Sequence, residues 1–295
     1  MAKRIGVLIT ALCLLLGQSM AFAESNNVDT DLVSMTMVEE TWYNAFGVAT
    51  NGQINNKSTI VTKKKVTKDD GTEQIIESTT TSESTITSSW MGGGLKAETI
   101  HSTTHTEGTD GSYSDSTADT VYTYDGSGRL AGASGTATST SVNEKGEVTT
   151  TTTTTTYEIR NGEALEMSSH TTGTTTGVDG TVIATIDVSS KNTWKLEGGK
   201  WVLASTYTRS MTTGQGAYAG TYTKTERTVT YNTNGSGVVI GMSVSMEGRR
   251  TIQNGVGGFV NQCITGYSYT VGYDQQMGYF ISWDKVTWGL DPSRP

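Results

Sequence analysis

Residues 143–162 read NEKGEVTTTTTTTTYEIRNG and contain eight consecutive threonines, Thr149 to Thr156. A run of β-branched residues between two polar turns that contain glycine is typical of a β-strand between hairpin turns. Threonine is restricted at χ1 and fits a pleated surface. Because threonine occupies both faces of this strand, neither face requires a deep apolar core at this point.

Turn residues recur along the chain about every 16 to 22 residues, which predicts an antiparallel meander of about thirteen long strands. Strands of this length indicate either a very tall sheet or β-bulges at glycines such as Gly132, Gly135 and Gly173, which would bend the strands midway. A weak internal repeat, Thr120–Gly128 and Thr228–Gly237, indicates duplicated strand–turn units. The turn signals are Asp70-Gly71, Gly92 to Gly94, Asp110-Gly111, Asp125 to Gly128, Lys145-Gly146, Asn161-Gly162, Asp179-Gly180, Gly198-Gly199, Gly214 to Gly216, Asn234-Gly235, Asn254-Gly255 and Asp274 to Gly278.

The two halves of the chain differ in their side chains. Residues 24–177 form a half rich in threonine and serine, whereas residues 178–290 show cleaner period-two apolar alternation. The apolar face is therefore expected in the C-terminal half, joined by Trp283, Val286, Trp288 and, from the N-terminal part of the chain, Trp42. If this face binds an apolar ligand, the candidate residues are Val182, Ile186, Trp194, Trp201, Val238, Ile240, Met242, Val244 and Met246.

Residues 1–23 have the features of a cleaved export signal. Lys3 and Arg4 precede a short apolar run, and Ala21-Phe22-Ala23 provides a small-x-small cleavage pattern. The remaining residues, 24–295, are predicted to form a single all-β domain without a membrane span. The expected location is the periplasm, the cell surface or the medium.

The composition favours a folded β protein over a disordered chain. Leu, Ile, Val and Phe make up only about a sixth of the residues, a level that can accompany disorder. Disorder normally also requires high net charge and many prolines. Here the net charge is -8, and the two prolines lie at positions 292 and 295. This acidic balance argues against nucleic-acid binding.

Catalytic and metal-binding patterns are nearly absent from the sequence. His101 and His105 would lie about 13 Å apart on one strand face, too far for one metal ion. Asp110, Asp115 and Asp119 form a weak candidate calcium site. No enzymatic activity, catalytic residue or cofactor is predicted.

Three architectures fit these patterns: a closed or half-open barrel, a long single-layer sheet with a small core, and a transmembrane β-barrel. The last is disfavoured because the threonine-rich strands lack a tall apolar outward face. We expect an exported, non-enzymatic envelope or surface protein with a structural, adhesive or interaction role. The alternative is a periplasmic carrier that binds a lipid or another apolar ligand in a half-barrel. Expected partners are a glycan, a lipid or another envelope protein, and self-association through edge strands is a further expectation.

Overall fold

A computed structural model describes residues 28–44, 49–67, 72–253, 259–274, 278–279 and 289–290. These residues form one antiparallel sheet in which thirteen long strands follow each other in sequence order, with two short strands beside the thirteenth. The predicted all-β up-and-down meander is confirmed. The export signal and the tryptophans at 283 and 288 lie outside the described residues.

The long strands contain 12 to 19 residues each, and every connection between them reverses the chain direction. Among the described residues, one 3₁₀ turn, Gly216–Tyr218, connects two of these strands. The strands are β1 (Val28–Tyr43), β2 (Ala49–Thr67), β3 (Glu73–Met91), β4 (Gly94–Gly108), β5 (Tyr113–Tyr124), β6 (Leu130–Val142), β7 (Val148–Arg160), β8 (Glu163–Thr176), β9 (Val182–Glu197), β10 (Lys200–Gly214), β11 (Tyr222–Thr233), β12 (Val239–Gln253), β13 (Phe259–Asp274), β14 (Gly278–Tyr279) and β15 (Gly289–Leu290).

Three hairpins close through two-residue turns. Both central residues have positive φ, at 54° and 84° in Gly92-Gly93, 52° and 79° in Asn161-Gly162, and 56° and 78° in Gly198-Gly199. These are type I′ turns, whose twist matches that of the flanking strands. Asn161 is the one non-glycine residue with positive φ in the described part of the chain, and asparagine tolerates this conformation better than most residues.

Five other hairpins use five-residue turns that share one hydrogen-bond pattern. The first residue donates to the carbonyl of the fifth, and the fourth residue, a glycine with φ between 75° and 84°, donates back to the carbonyl of the first. This is a type I turn followed by a glycine bulge. The Asn-Gly and Asp-Gly pairs that indicate turns in the sequence therefore adopt two different turn types. The five turns span residues 108–112, 125–129, 143–147, 177–181 and 234–238.

Gly135 and Gly173 pair regularly with both neighbouring strands, so neither forms a bulge, whereas the register shift in β6 lies directly beside Gly132, at Ala131. Five of the register shifts each leave out one residue near the start of a strand, in β4, β6, β8, β10 and β12. From β6 onward these residues recur about every 36 positions, which is one hairpin repeat. The residues left out are Glu98, Ala131, Met167, Ala204 and Ile240.

The sheet does not close into a barrel, so of the two predicted forms the open one is observed. Among the described residues, β1 pairs only with β2, and it forms one edge of the sheet. The outer side of β13 is partly covered by β14 and β15. The threonine run in β7 pairs with strands on both sides, so it is not an edge.

Alternate residues along the strands differ in exposure, which distinguishes two faces of the sheet. In β7, Thr150, Thr152 and Thr154 are exposed, while Thr151 and Thr153 are less so. Because directly paired residues share a face, the ladder extends this assignment across the sheet. We call the side of Thr152 the open face and the side of Thr153 the shielded face.

The apolar core is small and is divided between the two halves of the chain. Among the described residues, the buried hydrophobic side chains are Ile86, Leu165, Val229 and Val244. Two of these belong to the threonine-rich half and two to the C-terminal half. None of the described large side chains is fully enclosed. The fold therefore depends chiefly on its ladder of backbone hydrogen bonds.

Candidate functional site

The centre of the open face carries a regular array of threonines from β6, β7 and β8. Strand pairing aligns Thr138, Thr152 and Thr172 in one row, with matching rows on either side. Neighbouring threonines are about 4.8 Å apart across strands and about 6.7 Å apart along them. We call this array the threonine lattice; it consists of Thr136, Thr138, Thr140, Thr150, Thr152, Thr154, Thr172 and Thr174.

Threonine hydroxyls behave differently on the two faces. On the shielded face, cross-strand pairs bond to each other, at 3.0 Å for Thr149 and Thr175 and 2.7 Å for Thr153 and Thr171. No hydroxyl of the threonine lattice has a hydrogen-bond partner among the described residues. The lattice therefore offers its donors and acceptors to the solvent or to a ligand.

Histidine–aspartate pairs border the lattice on both sides. On the β4–β5 side, His101 Nδ1 lies 2.7 Å from Asp119 Oδ1, and His105 Nδ1 lies 2.6 Å from Asp115 Oδ1. On the β8–β9 side, His170 Nε2 lies 3.3 Å from an oxygen of Asp187. All of these side chains are about half exposed, so each pair adds little stability. The lattice itself contains no charged residue.

The shielded face carries a band of aromatic and aliphatic residues near the end of the sheet that holds the type I′ turns. Strand pairing places these side chains on one face from β3 to β12, and most of them are half-buried. We call this set the aromatic band; its members are Trp90, Leu95, Tyr122, Tyr124, Leu130, Tyr157, Ile159, Trp194, Leu203, Val229, Tyr231, Met242 and Val244.

Tyr157 and Glu166 form a desolvated pair within this band. The two residues are direct cross-strand partners. Burial, reinforced by the nearby Glu166 carboxyl, raises the pKa of Tyr157 to about 12, even though a hydrogen bond from Thr120 opposes the shift. Burial also raises the pKa of Glu166 above its ordinary value. Removal of charged groups from water has this effect on acids, so this part of the band is poorly hydrated.

Two side chains from β9 replace a backbone hydrogen bond where β8 bulges. The β8–β9 ladder stops at Ser168 and Lys191, next to the extra residue Met167. Trp194 Nε1 donates to the Glu166 carbonyl at 2.7 Å, and Asn192 Nδ2 donates to the same oxygen at 3.2 Å. A buried carbonyl without a partner would be costly, so these contacts stabilise the departure from regular pairing.

The structure separates the residues of the predicted apolar ligand site. Trp194, Met242, Val244 and Met246 lie on the shielded face, but they are spread over strands β9 and β12. Asn192 lies in the same cross-strand row as Val244. Ile186 is on the same face, but it lies about 20 Å along β9 from Asn192. These residues do not converge on one pocket.

The remaining predicted ligand residues are displaced by turns and bulges. A register shift in the ladder between β8 and β9 puts Val182 on the open face, where its side chain is 42% exposed. Val238 belongs to a five-residue turn, and Ile240 is the extra residue of the β12 bulge. Trp201 is half-buried below the Arg160 guanidinium, which lies 5.0 Å from the ring centroid, close enough for a cation–π contact.

The three aspartates of the candidate calcium site have separate partners. Asp110 accepts hydrogen bonds from the Ser112 amide and hydroxyl, which lower the pKa of its carboxyl despite partial burial. Asp115 and Asp119 each pair with a histidine, as described above. Within the residues that the structure describes, no three His, Cys, Asp or Glu side chains converge on a metal position.

A shallow cavity of about 430 Å³ lies near the β1–β2 edge and is lined in part by Trp42, Gln53, Thr87 and Glu98. It contains none of the predicted ligand residues. In the described segments of the chain, no helix has the length and apolarity needed to cross a bilayer.

Sequence reasoning missed the histidine–aspartate pairs, although a signal for them exists. His101, His105, Asp115 and Asp119 are placed symmetrically about the 108–112 turn, so a hairpin centred there aligns each histidine with an aspartate. The aromatic band was also missed in the first half of the chain. Tyr122 and Tyr157 lie in otherwise polar strands, and only the register shows that they share a face with the C-terminal aromatic residues.

The described residues therefore define an open, antiparallel β-sheet protein with one polar, ordered face and one face that bears an aromatic band. No protein-family model, curated protein or solved structure matches this chain.

Proposed function

We propose that this chain is an exported, non-enzymatic envelope or surface protein that acts through its open face in a structural or adhesive role. The observation that carries this proposal is the threonine lattice, whose hydroxyls are regularly spaced and have no partner among the described residues. Many weak hydrogen bonds over a wide surface suit extended contacts better than tight binding of one small molecule.

The charge pattern of the open face supports the same role. Lys57 and Glu83 form an ion pair there at 2.6 Å, and Asp115, Asp119 and Asp187 each lie beside a histidine. Such a surface does not select partners by long-range electrostatic attraction. Contact through hydroxyl and methyl groups remains the main source of affinity.

Replacement of the central row tests this proposal. We expect the triple variant Thr138→Val, Thr152→Val and Thr172→Val to bind isolated envelope material from the source cells about tenfold or more weakly, because three hydrogen bonds worth roughly 0.5–1.5 kcal/mol each are removed. Cosedimentation with labelled protein provides the measurement. Valine keeps the β-branched shape and the strand preference of threonine, so the fold should persist.

The matched control is Thr230→Val, which changes an exposed open-face threonine outside the lattice. This variant should bind like the unmodified protein. Equal binding by the triple variant, or failure of the unmodified protein to bind any envelope component, would contradict the proposed role of the lattice.

A second candidate function is a carrier for an apolar ligand. The aromatic band favours it, because Tyr157 and Glu166 are already partly removed from water on the shielded face. A ligand there would cover half-buried aromatic surface, which is the usual source of affinity for apolar molecules.

A further inference from the structure

The threonine lattice is regular in two dimensions. No register shift occurs over the paired segments Ser134–Val142 with Val148–Thr156, or Val148–Thr156 with Ser168–Thr176. Rows of the lattice therefore follow one another at the strand spacing of about 4.8 Å, and positions within a strand repeat at about 6.7 Å. The result is a periodic template of hydroxyl and methyl groups.

Two observations favour a flat template. Strongly twisted open sheets rarely exceed about ten strands without curling, splitting or flattening, and this sheet has thirteen strands and remains open and undivided. Flat sheets are usually stabilised by side-chain ladders. Such ladders are present on the shielded face directly behind the lattice, in the Thr149–Thr175 and Thr153–Thr171 hydroxyl pairs.

The side chains of the template are ordered before any ligand binds. Threonine is β-branched, so packing within a strand leaves it few χ1 rotamers, whereas serine would rotate more freely. Seven of the eight lattice threonines are exposed, all except the half-buried Thr140. A ligand would therefore lose little free energy in fixing their orientations.

The chemistry of the lattice narrows the class of ligand. It holds no charge, and its nearest charged neighbours are the histidine–aspartate pairs at its borders. No aromatic ring lies within the lattice, and the exposed Tyr113, which pairs with Val142 at its border, is the nearest ring on which a sugar could stack. A repeating array of hydroxyls and methyls at fixed spacing matches a ligand that is itself periodic, uncharged and rich in hydrogen bonds.

From these observations we infer that the threonine lattice binds the ordered water of an ice crystal surface. Regularly spaced hydroxyls would join the hydrogen-bond network of the crystal, while the methyl groups between them would fill the gaps in its outermost layer. This inference rests on the proposed function in one respect, since the open face must be exposed to the medium outside the cytoplasm to meet ice.

The test is inhibition of ice recrystallisation by the purified full chain, with the shape of single ice crystals as a second readout. The unmodified protein should slow recrystallisation and facet the crystals. Thr152→Lys places a long charged side chain at the centre of the lattice and should abolish both effects, and Thr138→Lys provides an independent variant of the same row. Circular dichroism establishes that each variant is folded.

Thr230→Lys is the matched control, because it introduces the same charge on the same face outside the lattice; it should retain full activity. The inference is overturned if the unmodified protein leaves ice growth unchanged, or if Thr230→Lys loses as much activity as Thr152→Lys. Binding to crystalline polysaccharide without any effect on ice would also overturn it and would assign the lattice to a glycan. Retained envelope binding without ice activity would reject the ice ligand alone and leave the proposed surface role in place.

Discussion

Ala137→Pro is expected to destabilise the protein by at least about 1–3 kcal/mol, the cost of a buried backbone carbonyl that loses its hydrogen-bond donor. Ala137 lies in β6, where it pairs with Ala118 on one side and Thr153 on the other. Proline there removes a ladder hydrogen bond and cannot be accommodated in the middle of a sheet. Since domains are typically stable by about 5–15 kcal/mol, urea denaturation should show a large fall in the unfolding midpoint or no folded protein at all.

Glu144→Pro is the matched control in the adjacent turn. Glu144 is the second residue of the 143–147 turn, and proline is favoured at this position of a type I turn. The free energy of unfolding of the Glu144→Pro variant should therefore stay within about 1 kcal/mol of that of the unmodified protein. If Ala137→Pro proved as stable as Glu144→Pro, β6 would not be an internal strand and the strand order would be wrong.

Gly173→Ala is expected to cost about 1–3 kcal/mol through overpacking. A Cβ atom at Gly173 would clash with the backbone carbonyl oxygen of Thr150 on the neighbouring strand and would meet a methyl carbon of Thr151 at 2.8 Å. The backbone cannot move away without disturbing the ladder between β7 and β8. Chemical denaturation of the variant measures this loss.

Gly94→Ala is the control for Gly173→Ala. It shows how much of the loss comes from replacing any glycine in a strand and how much from the close contact at Gly173. No heavy atom lies within 4 Å of the position that a Cβ at Gly94 would occupy. Its substitution should leave stability nearly unchanged or slightly increased, because alanine restricts the unfolded chain. Equal stability of the two variants would mean that β7 and β8 do not approach as closely as described.

The strand number and the meander could be predicted from the sequence because turn chemistry is local. Asn161 and Gly162 adopt positive φ in the structure for the same reason that they indicate a turn in the sequence. Proline is absent from the region of the long strands, which agrees with the twelve ladders that join the thirteen long strands.

Bulges and faces could not be predicted because they depend on the register between neighbouring strands. The apparent stripe from Val238 to Met246 is interrupted at Ile240, where β12 contains one residue more than β11 requires. Alternation in one strand cannot reveal such a shift. For the same reason, the sequence did not reveal that Tyr122 and Tyr157 share a face. Only the pairing of β5 with β6 and of β6 with β7 shows this.

The sequence also could not predict which hydroxyls of the threonine lattice are exposed. Thr152 and Thr153 are neighbours in a uniform run, yet only Thr153 has a hydroxyl partner among the described residues, Thr171. The difference arises from which face each side chain occupies. Composition predicted a wide threonine surface, but not which of its hydroxyls remain available for binding.

The central claim is that the protein acts through its open face and does not carry an apolar ligand on the aromatic band. Native mass spectrometry of the protein purified gently from its own envelope fraction tests this most directly. We predict the mass of the bare chain, alone or as a series of oligomers. A bound lipid-sized mass that is lost on denaturation would contradict the claim and would assign the function to the carrier alternative.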